Sequence, residues 1–250
     1  MCGIVGAVGL AGCSETLLDS LKRLEYRGYD SSGIVTQQDG GLIMNRAVGK
    51  LVNLQEVMRQ QPLPGSAGIG HTRWATHGGV SERNAHPHIA AGKVAIVHNG
   101  IIENHASLRE EIQANGHSFD SETDSEVLAH LFHHAFENGM SPQEAGVYVI
   151  SQIEGTFGFA AMHADHPDMM IVGRNASPLA VGLGEEASFV GSDAAALAHL
   201  TRNIIYLKDF DFAIIRPDSV DVFDATGTPV NREIVIVAAS PGIVDKGGYR

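Results

Sequence analysis

Cys2-Gly3-Ile4-Val5-Gly6-Ala7-Val8 begins the chain with an apolar run that two glycines interrupt. Residues that favour strands dominate this run, and we predict a buried first strand over Gly3–Val8. Cys2 stands directly before that strand. It has an ordinary interpretation as a small residue entering a buried strand, because free cysteine is among the most buried residue types. Its chemical interpretation depends on how the rest of the chain folds around it.

Similar apolar runs recur along the chain and alternate with glycine-rich breaks. They predict strands over Gly3–Val8, Ser32–Gln37, Leu42–Val48, Ala67–Arg73, Lys93–His98, Thr156–His163, Met169–Arg174, Leu179–Leu183, Ser188–Gly191, Asn203–Leu207, Asp211–Arg216 and Glu233–Val237. Helical spacing follows Ser14, Thr123 and Ser141, which we interpret as N-cap residues, and Gly155 is the expected stop of the third helix. Neighbouring helices flanked by strand runs predict an α+β fold of two mainly antiparallel sheets covered by helices.

Composition excludes several classes of protein. Among 250 residues, 17 Lys and Arg oppose 29 Asp and Glu for a net charge of −12, and no basic cluster is present to neutralise phosphates. We therefore expect no nucleic-acid partner. No apolar run approaches the roughly 20 residues that span a bilayer, so we expect no membrane association. Two cysteines are too few for a disulfide framework, which predicts a cytoplasmic location.

Cys2 has a chemical interpretation if the initiator Met1 is removed. The chain then begins with a cysteine whose free α-amino group has a reference pKa of about 7.7–8.0, close to the thiol value of about 8.5. Such an amine can accept the thiol proton itself, without a separate histidine. Cys2 is thus a candidate nucleophile.

Asn99-Gly100 follows the apolar run Val94–Val97 and has two interpretations. Asn-Gly after such a run is the strongest short signal for a hairpin turn, and the pattern alone favours a type I′ turn here. The alternative is an oxyanion hole, in which the Asn99 amide and the Gly100 N–H stabilise one developing negative charge.

The stretch His71–Gly78 is dense in hydrogen-bond donors. Arg73 is a candidate for two-point binding of a carboxylate, assisted by Thr76 and His77, and the alternative is a surface ion pair of little energetic value. The sole tryptophan, Trp74, is expected in the core by default. Asp124, placed in the first turn of a predicted helix, either favours the helix dipole or binds a substrate ammonium group.

The 13 histidines raise the possibility of a metal site. His86-Pro87-His88 and the pair His130/His134 have ligand-like spacing, but neither has the acidic partner or third ligand of a recognised zinc motif. We therefore predict no metal and no cofactor.

The order of these motifs resembles that of the class II glutamine amidotransferase domains of the N-terminal-nucleophile hydrolase superfamily, and most closely the amino-terminal half of the glucosamine-6-phosphate synthase family. The motifs that carry the resemblance are Met1–Gly6, Arg23–Ser31, His71–Gly78, Asn84–His88, His98–Asn104, Ser121–Asp124, Ser177–Leu179 and Asp245–Arg250. The resemblance implies a four-layer αββα sandwich over residues 1–240, and the start of a linker over 241–250 leading to a sugar-phosphate isomerase region.

The resemblance also implies a role for each candidate residue. Cys2 attacks the amide carbon of glutamine, and Asn99 and Gly100 stabilise the oxyanion. The substrate-binding residues are Arg73, Thr76, His77, Asp124 and His86, with Arg27 in support and Trp74 as the gate for ammonia. The full-length enzyme is expected to be a homodimer that converts fructose-6-phosphate to glucosamine-6-phosphate.

Three alternatives remain open on the sequence alone. One is the ammonia-supplying domain of an amidophosphoribosyltransferase-like enzyme, which shares the opening Cys-Gly-Ile-Val-Gly motif. Another is a non-catalytic glutamine-binding module with a blocked thiol. The last is a redox or metal protein that uses Cys2, Cys13 and the histidines.

Overall fold

A computed structural model describes residues 2–75 and 77–237. These residues form fourteen strands: β1 (Gly3–Val8), β2 (Ser31–Gln38), β3 (Gly41–Val48), β4 (Ala67–Arg73), β5 (His88–Ala90), β6 (Val94–Ile102), β7 (Gly155–His163), β8 (Met170–Asn175), β9 (Ala180–Leu183), β10 (Ser188–Gly191), β11 (Asn203–Tyr206), β12 (Phe212–Ile215), β13 (Val220–Phe223) and β14 (Ile234–Ile236). The helices are α1 (Cys13–Lys22), α2 (Leu51–Gln60), α3 (His105–Ala114), α4 (Glu126–Glu137) and α5 (Pro142–Gln152), with short 3₁₀ turns at Glu25–Arg27 and Ala194–Ala196.

The strands form two sheets with antiparallel neighbours. The larger sheet has the order β14-β11-β9-β10-β1-β4-β2-β3, and the smaller has the order β13-β12-β8-β7-β6-β5. Strand β1 lies between β10 and β4, with Val5 opposite both Gly191 and Gly70. The first strand of the chain is therefore central in its sheet, and Cys2 stands at its amino-terminal end.

Three apolar clusters divide the molecule into four layers. Side chains of both sheets, such as Ile4 and Val97, meet in a central cluster between the sheets. A second cluster packs α3, α4 and α5 on the outer face of the smaller sheet, and a third packs α1 and α2 on the larger sheet. The predicted four-layer αββα sandwich is confirmed.

Each predicted strand overlaps an observed one, and three agree at both ends: Gly3–Val8, Ala67–Arg73 and Ser188–Gly191. The three-residue β5 and the four-residue β13 were not predicted, because runs this short carry little alternation. Helices α2 and α3 were also missed. In α2 the buried residues Leu51, Leu54 and Met58 form one face at spacings of three and four.

The helix caps were predicted with mixed success. Ser141 and Glu144 form the predicted capping box at the start of α5, which ends at Gln152, three residues before Gly155. Ser14 is wrong as a cap, since α1 begins at Cys13 after Gly12, whose positive φ of 65° suits glycine. Thr123 is also wrong as a cap. Helix α4 begins two residues later than predicted, and the Thr123 hydroxyl contacts Ser121 instead.

Two predictions fall partly outside the described residues. The expected linker over 241–250, and with it the boundary at residue 240, lies in a part of the chain that the structure does not describe. Within residues 2–75 and 77–237, no helix is long and apolar enough to cross a membrane.

Replacement of Phe132 tests the packing of α4 on the smaller sheet. The Phe132 ring is fully buried and meets Phe159 of β7 edge-on, with ring centroids 5.5 Å apart. Phe132→Ala should lower the free energy of unfolding by about 3–5 kcal/mol in urea titrations. Val52→Ala is the control, because Val52 is 63% exposed, and it should change that energy by less than about 0.5 kcal/mol. Equal effects of the two substitutions would contradict the layer assignment.

Candidate active site

Cys2 lies where β1 of the larger sheet meets β6 of the smaller one. Its thiol accepts a hydrogen bond from the Trp74 backbone N–H, with 3.1 Å between nitrogen and Sγ. Its carbonyl oxygen accepts a bond from Nδ2 of Asn99 at 3.1 Å. Burial raises the pKa of the Cys2 thiol, and the Trp74 hydrogen bond opposes that rise. The thiol is thus held by its neighbours and is mostly protonated at neutral pH unless a nearby base accepts its proton.

Asn99 and Gly100 do not form the hairpin turn that the sequence pattern favours. Both lie within β6, which continues to Ile102, and they pair with Gly158 and Phe157 of β7. Gly100 has a φ of 127°, and a Cβ built on it would stand 2.0 Å from the Thr156 carbonyl oxygen. Glycine is required here by this close approach and not by a turn. The hairpin prediction is wrong because the pairing with β7 overrides the local Asn-Gly preference.

Two cavities meet at Cys2. The larger has a volume of about 320 Å³ and is lined by Cys2, Arg27, Trp74, Asn99, Gly100, Ile101, Thr156, Ser177 and Pro178. The smaller has a volume of about 30 Å³ and is lined by Cys2, Arg73, Trp74, His77, His86, His98, Gly100, Thr123, Asp124 and Ser125. The predicted site residues that the structure describes therefore lie around one pair of adjoining cavities.

Arg73 ends β4 and is only 4% exposed. Its guanidinium donates to three successive backbone carbonyl oxygens, those of His77, Gly78 and Gly79. The alternative of a surface ion pair is therefore wrong. A buried cation bonded only to neutral carbonyls retains much of its charge for an anionic ligand. Thr76 stands just before these carbonyls and lies outside the described residues.

Asp124 stands on the other side of the smaller cavity, two residues before α4. Its Oδ2 accepts a hydrogen bond from the Ile102 N–H at 2.8 Å, and Ser125 donates to its Oδ1 at 3.4 Å. Since α4 begins at Glu126, Asp124 lies outside the helix and the helix-dipole interpretation does not apply. It is a buried carboxylate facing the cavity that Arg73 also lines, so the cavity carries opposite charges on two walls.

One residue connects the segments that carry these charges. Asn84 donates to the Gly79 carbonyl and to the Glu122 side chain, each at 3.0 Å, and accepts a bond from the Glu122 N–H at 2.9 Å. The 77–79 loop, which binds Arg73, is thereby tied to the segment that presents Asp124. Asn84 belongs to one of the motifs that carry the resemblance, but no role was predicted for it.

Four buried histidines form one wall of the site. His71 and His86 stack with centroids 4.1 Å apart, and His88 meets His86 edge-on at 4.5 Å. Nδ1 of His86 accepts from the His98 N–H, and Nδ1 of His98 lies 2.8 Å from the Ser125 hydroxyl. Burial lowers the pKa of all four, to about 3 for His71 and His88. They are neutral at pH 7, and only His86 among them was a predicted site residue.

Arg27 and Trp74 form the rim of the larger cavity. Arg27 makes an ion pair with Asp193, with nitrogen and oxygen 2.5 Å apart, and its Nε donates to the Tyr26 hydroxyl. The Trp74 ring is 45% exposed and meets Tyr29 edge-on at 5.6 Å. The default expectation of a core tryptophan is therefore wrong.

The histidines do not assemble a metal centre in the part of the chain that the structure describes. Across residues 2–75 and 77–237, no three His, Cys, Asp or Glu side chains are grouped so that they could hold a metal ion. His86 and His88, which have ligand-like spacing, are instead bonded to the His98 N–H and the Thr123 hydroxyl.

A cysteine beside a central strand of an αββα sandwich is the arrangement that the resemblance to N-terminal-nucleophile hydrolases implies. A family model described as a glutamine amidotransferase domain matches residues 71–199, just over half of the chain. The chain therefore belongs to the glutamine amidotransferase domain family.

Individual relatives give a more specific comparison than the family model. The chain is 50% identical over 250 residues to the glutamine–fructose-6-phosphate aminotransferase (isomerizing) of Mesorhizobium japonicum, and 49% identical over 251 residues to that of Gluconobacter oxydans. Each match covers all of this chain and 41% of the relative. The chain thus spans less than half the length of these relatives.

Solved structures support the fold. The glutamine phosphoribosylpyrophosphate amidotransferase of B. subtilis superposes with a TM-score of 0.76 at 23% identity, over 90% of this chain and 49% of that one. A class II glutamine aminotransferase domain protein of Silicibacter pomeroyi gives 0.58 at 15% identity, over 89% and 99% of the two chains.

The buried neutral histidines predict a loss of stability in mild acid. A histidine that stays neutral when folded but protonates when unfolded lowers the free energy of unfolding as pH falls below about 6.5, by up to about 1.4 kcal/mol per pH unit. In His71→Gln, the free energy of unfolding measured by urea titration should therefore fall less steeply between pH 7 and pH 5, by up to that amount per pH unit. The exposed Val52→Ala, which removes no titratable group, should keep the parent slope, and an unaltered slope for His71→Gln would refute the prediction.

Gly100→Ala tests the close approach of β6 to Thr156. The added methyl group must displace the Thr156 carbonyl, so the free energy of unfolding should fall by about 2–4 kcal/mol through overpacking and strain at positive φ. Gly92 also has a positive φ, of 67°, but has open space around its Cβ, so Gly92→Ala should cost about 1–2 kcal/mol. Urea titrations of both variants check this, and equal losses would mean that the contact with Thr156 is unimportant.

Proposed function

We propose that this chain hydrolyses L-glutamine to L-glutamate and ammonia through a glutamyl thioester on Cys2. The observation that carries the proposal is the convergence of the Cys2 thiol, Asn99 and Gly100 with a buried cation and a buried carboxylate around two adjoining cavities. A free glutamine has a carboxylate and an ammonium at one end and a neutral amide at the other. The charges on the cavity walls suit the first end, and the thiol suits the second.

Arg73 and Asp124 bind the two charged groups of glutamine in this proposal. Arg73 bonds the carboxylate and Asp124 bonds the ammonium, with Thr76, His77 and His86 completing that end of the site. A simple amide lacks both charged groups. Arg73 and Asp124 would then have no ligand group to bind, which disfavours binding of the amide.

The reaction begins with attack by sulfur on the amide carbon. With Met1 removed, the α-amine of Cys2 accepts the thiol proton as the S–C bond forms, and the carbonyl electrons move to oxygen. The second Nδ2 hydrogen of Asn99 and the N–H of Gly100 stabilise that oxygen. The protonated amine then gives its proton to the leaving nitrogen as the C–N bond breaks and ammonia departs. Water attacks the thioester and releases glutamate and the free thiol.

We further propose that the ammonia serves a second domain that aminates fructose-6-phosphate to glucosamine-6-phosphate. The named activity of the relatives and their greater length support this part of the proposal. Arg27 supports the rim of the cavity, and the exposed Trp74 gates the passage of ammonia towards that domain. A homodimeric full-length enzyme and a cytoplasmic location belong to the same proposal.

Intact-mass analysis with 6-diazo-5-oxo-L-norleucine, an electrophilic glutamine analogue, tests Cys2 as the nucleophile. The chain lacking Met1 should gain one adduct that excess glutamine suppresses, and Cys2→Ala should gain none. Cys13→Ala is the matched control, because burial raises the pKa of the Cys13 thiol to about 12 and keeps it unreactive. It should be labelled like the parent chain.

Three other outcomes would count against the proposal. A Met-free chain without an adduct, or labelling that survives in Cys2→Ala, would contradict a Cys2 glutaminase. Binding of glutamine without any release of glutamate by the Met-free chain would favour a non-catalytic binding module.

A further inference from the structure

His71 is a buried histidine that takes no part in the proposed mechanism. It lies in β4, opposite Ile4 of β1 and Gly33 of β2, and its side chain is completely buried. Its Nε2 lies 2.9 Å from Oδ1 of Asn99 and 3.1 Å from the carbonyl oxygen of His98. The imidazole therefore contacts the carboxamide of Asn99 from the side opposite Cys2.

The chemistry of the neighbours fixes the direction of each hydrogen bond. The Cys2 carbonyl can only accept, so the Asn99 atom that faces it is the amide nitrogen. The other amide atom is then an oxygen, and it faces Nε2 of His71 together with a second acceptor, the His98 carbonyl. Nε2 is surrounded by acceptors and must carry the proton. His71 therefore donates to Asn99.

The His71 ring is held in that position. It stacks on His86 with an interplanar angle of 15°, and His86 is fixed by the bond from the His98 N–H to its Nδ1. Nδ1 of His71 has no hydrogen-bond partner among the described residues. Since burial lowers the pKa of His71 to about 3, the ring has a single proton at neutral pH, and the acceptors place it on Nε2.

We propose that His71 is the positioning residue of the oxyanion hole, which sets the orientation of the Asn99 amide by donating its Nε2 proton to Oδ1. If the amide were flipped, its oxygen would face the Cys2 carbonyl and the developing oxyanion, neither of which can donate a hydrogen bond. Its N–H groups would face the N–H of His71, which cannot accept one. The donor at Asn99 is thereby in place before substrate arrives. This inference rests on the proposed function, because it assigns Asn99 to the oxyanion.

Two substitutions at His71 separate donation from packing. His71→Phe keeps a ring to stack on His86 and removes the donor, whereas His71→Gln retains an N–H near the position of Nε2. For glutamine hydrolysis, His71→Phe should lower kcat by about 10²-fold, the loss typical of one oxyanion donor. KM should change less than twofold, and His71→Gln should recover at least tenfold of the lost kcat.

Inhibition by two ligands distinguishes positioning from a structural role. Glutamate γ-semialdehyde forms a hemithioacetal with Cys2, in which sulfur bonds to the aldehyde carbon and the oxygen enters the oxyanion hole. L-glutamate binds without that oxygen. His71→Phe should weaken the semialdehyde by about 10²-fold and glutamate less than twofold. Equal weakening of both ligands, or no loss of kcat in a folded variant, would overturn the proposal.

A double substitution tests whether His71 acts through Asn99. Once Asn99→Ala has removed the amide, adding His71→Phe should lower kcat less than twofold further, because the two residues form one unit. Losses that multiply would overturn the positioning role. If Asn99→Ala alone leaves kcat unchanged, the oxyanion assignment fails first, and the fault lies in the proposed function.

The tautomer provides a measurement that needs no variant. In ¹⁵N-labelled parent chain, histidine side-chain correlations should identify His71 as neutral with its proton on Nε2. The same state should persist from pH 8 to pH 6. A proton on Nδ1 would overturn the proposal even if His71→Phe did not fold.

Discussion

The carboxamide of Asn99 is the contact on which the site depends, because it joins the two sheets. Asn99 belongs to β6 of the smaller sheet, whereas its side-chain partners are Cys2, directly before β1, and His71 of β4 in the larger one. Most of the remaining contact between the sheets is made by apolar side chains, which specify no particular orientation. At this edge the directional bonds of one amide fix where the thiol of one sheet stands relative to the strand of the other.

Polar groups at this junction are costly to bury, and the structure satisfies most of them in pairs. His86 and His88 each bond a neighbour from another segment, and the carboxylate of Glu126 accepts the N–H groups of Asp120 and Ser121. Histidine suits such a position because the neutral ring supplies one donor and one acceptor without a buried charge. The histidine wall of the smaller cavity is consequently neutral, and the charges of Arg73 and Asp124, which line the same cavity, are not paired with each other through it.

The four-layer arrangement was implied by the resemblance. The sequence pattern itself predicted most strands and two sheets covered by helices, because alternation and glycine breaks are local signals. It failed at Asn99-Gly100, where the local preference for a turn is overridden by pairing with β7, which begins more than fifty residues later. The resemblance to amidotransferase domains instead implies an oxyanion hole at this pair, and the proposed function adopts that role. His71 and Asn84 were given no role for a related reason. Their importance lies in partners about 28 and 38 residues away, which no spacing rule connects.

The bonds from Arg73 to the carbonyls of the 77–79 loop have a consequence for affinity. These carbonyls compete with any ligand for the guanidinium of Arg73. The binding free energy of a carboxylate is therefore only the difference between its own hydrogen bonds to Arg73 and the carbonyl bonds that it displaces or shares. The same competition keeps the cation solvated by the protein when no ligand is bound. In the proposed function, selectivity for α-amino acids would therefore depend partly on the conformational stability of a loop, which sequence changes outside the site can adjust without altering any residue that lines the cavity.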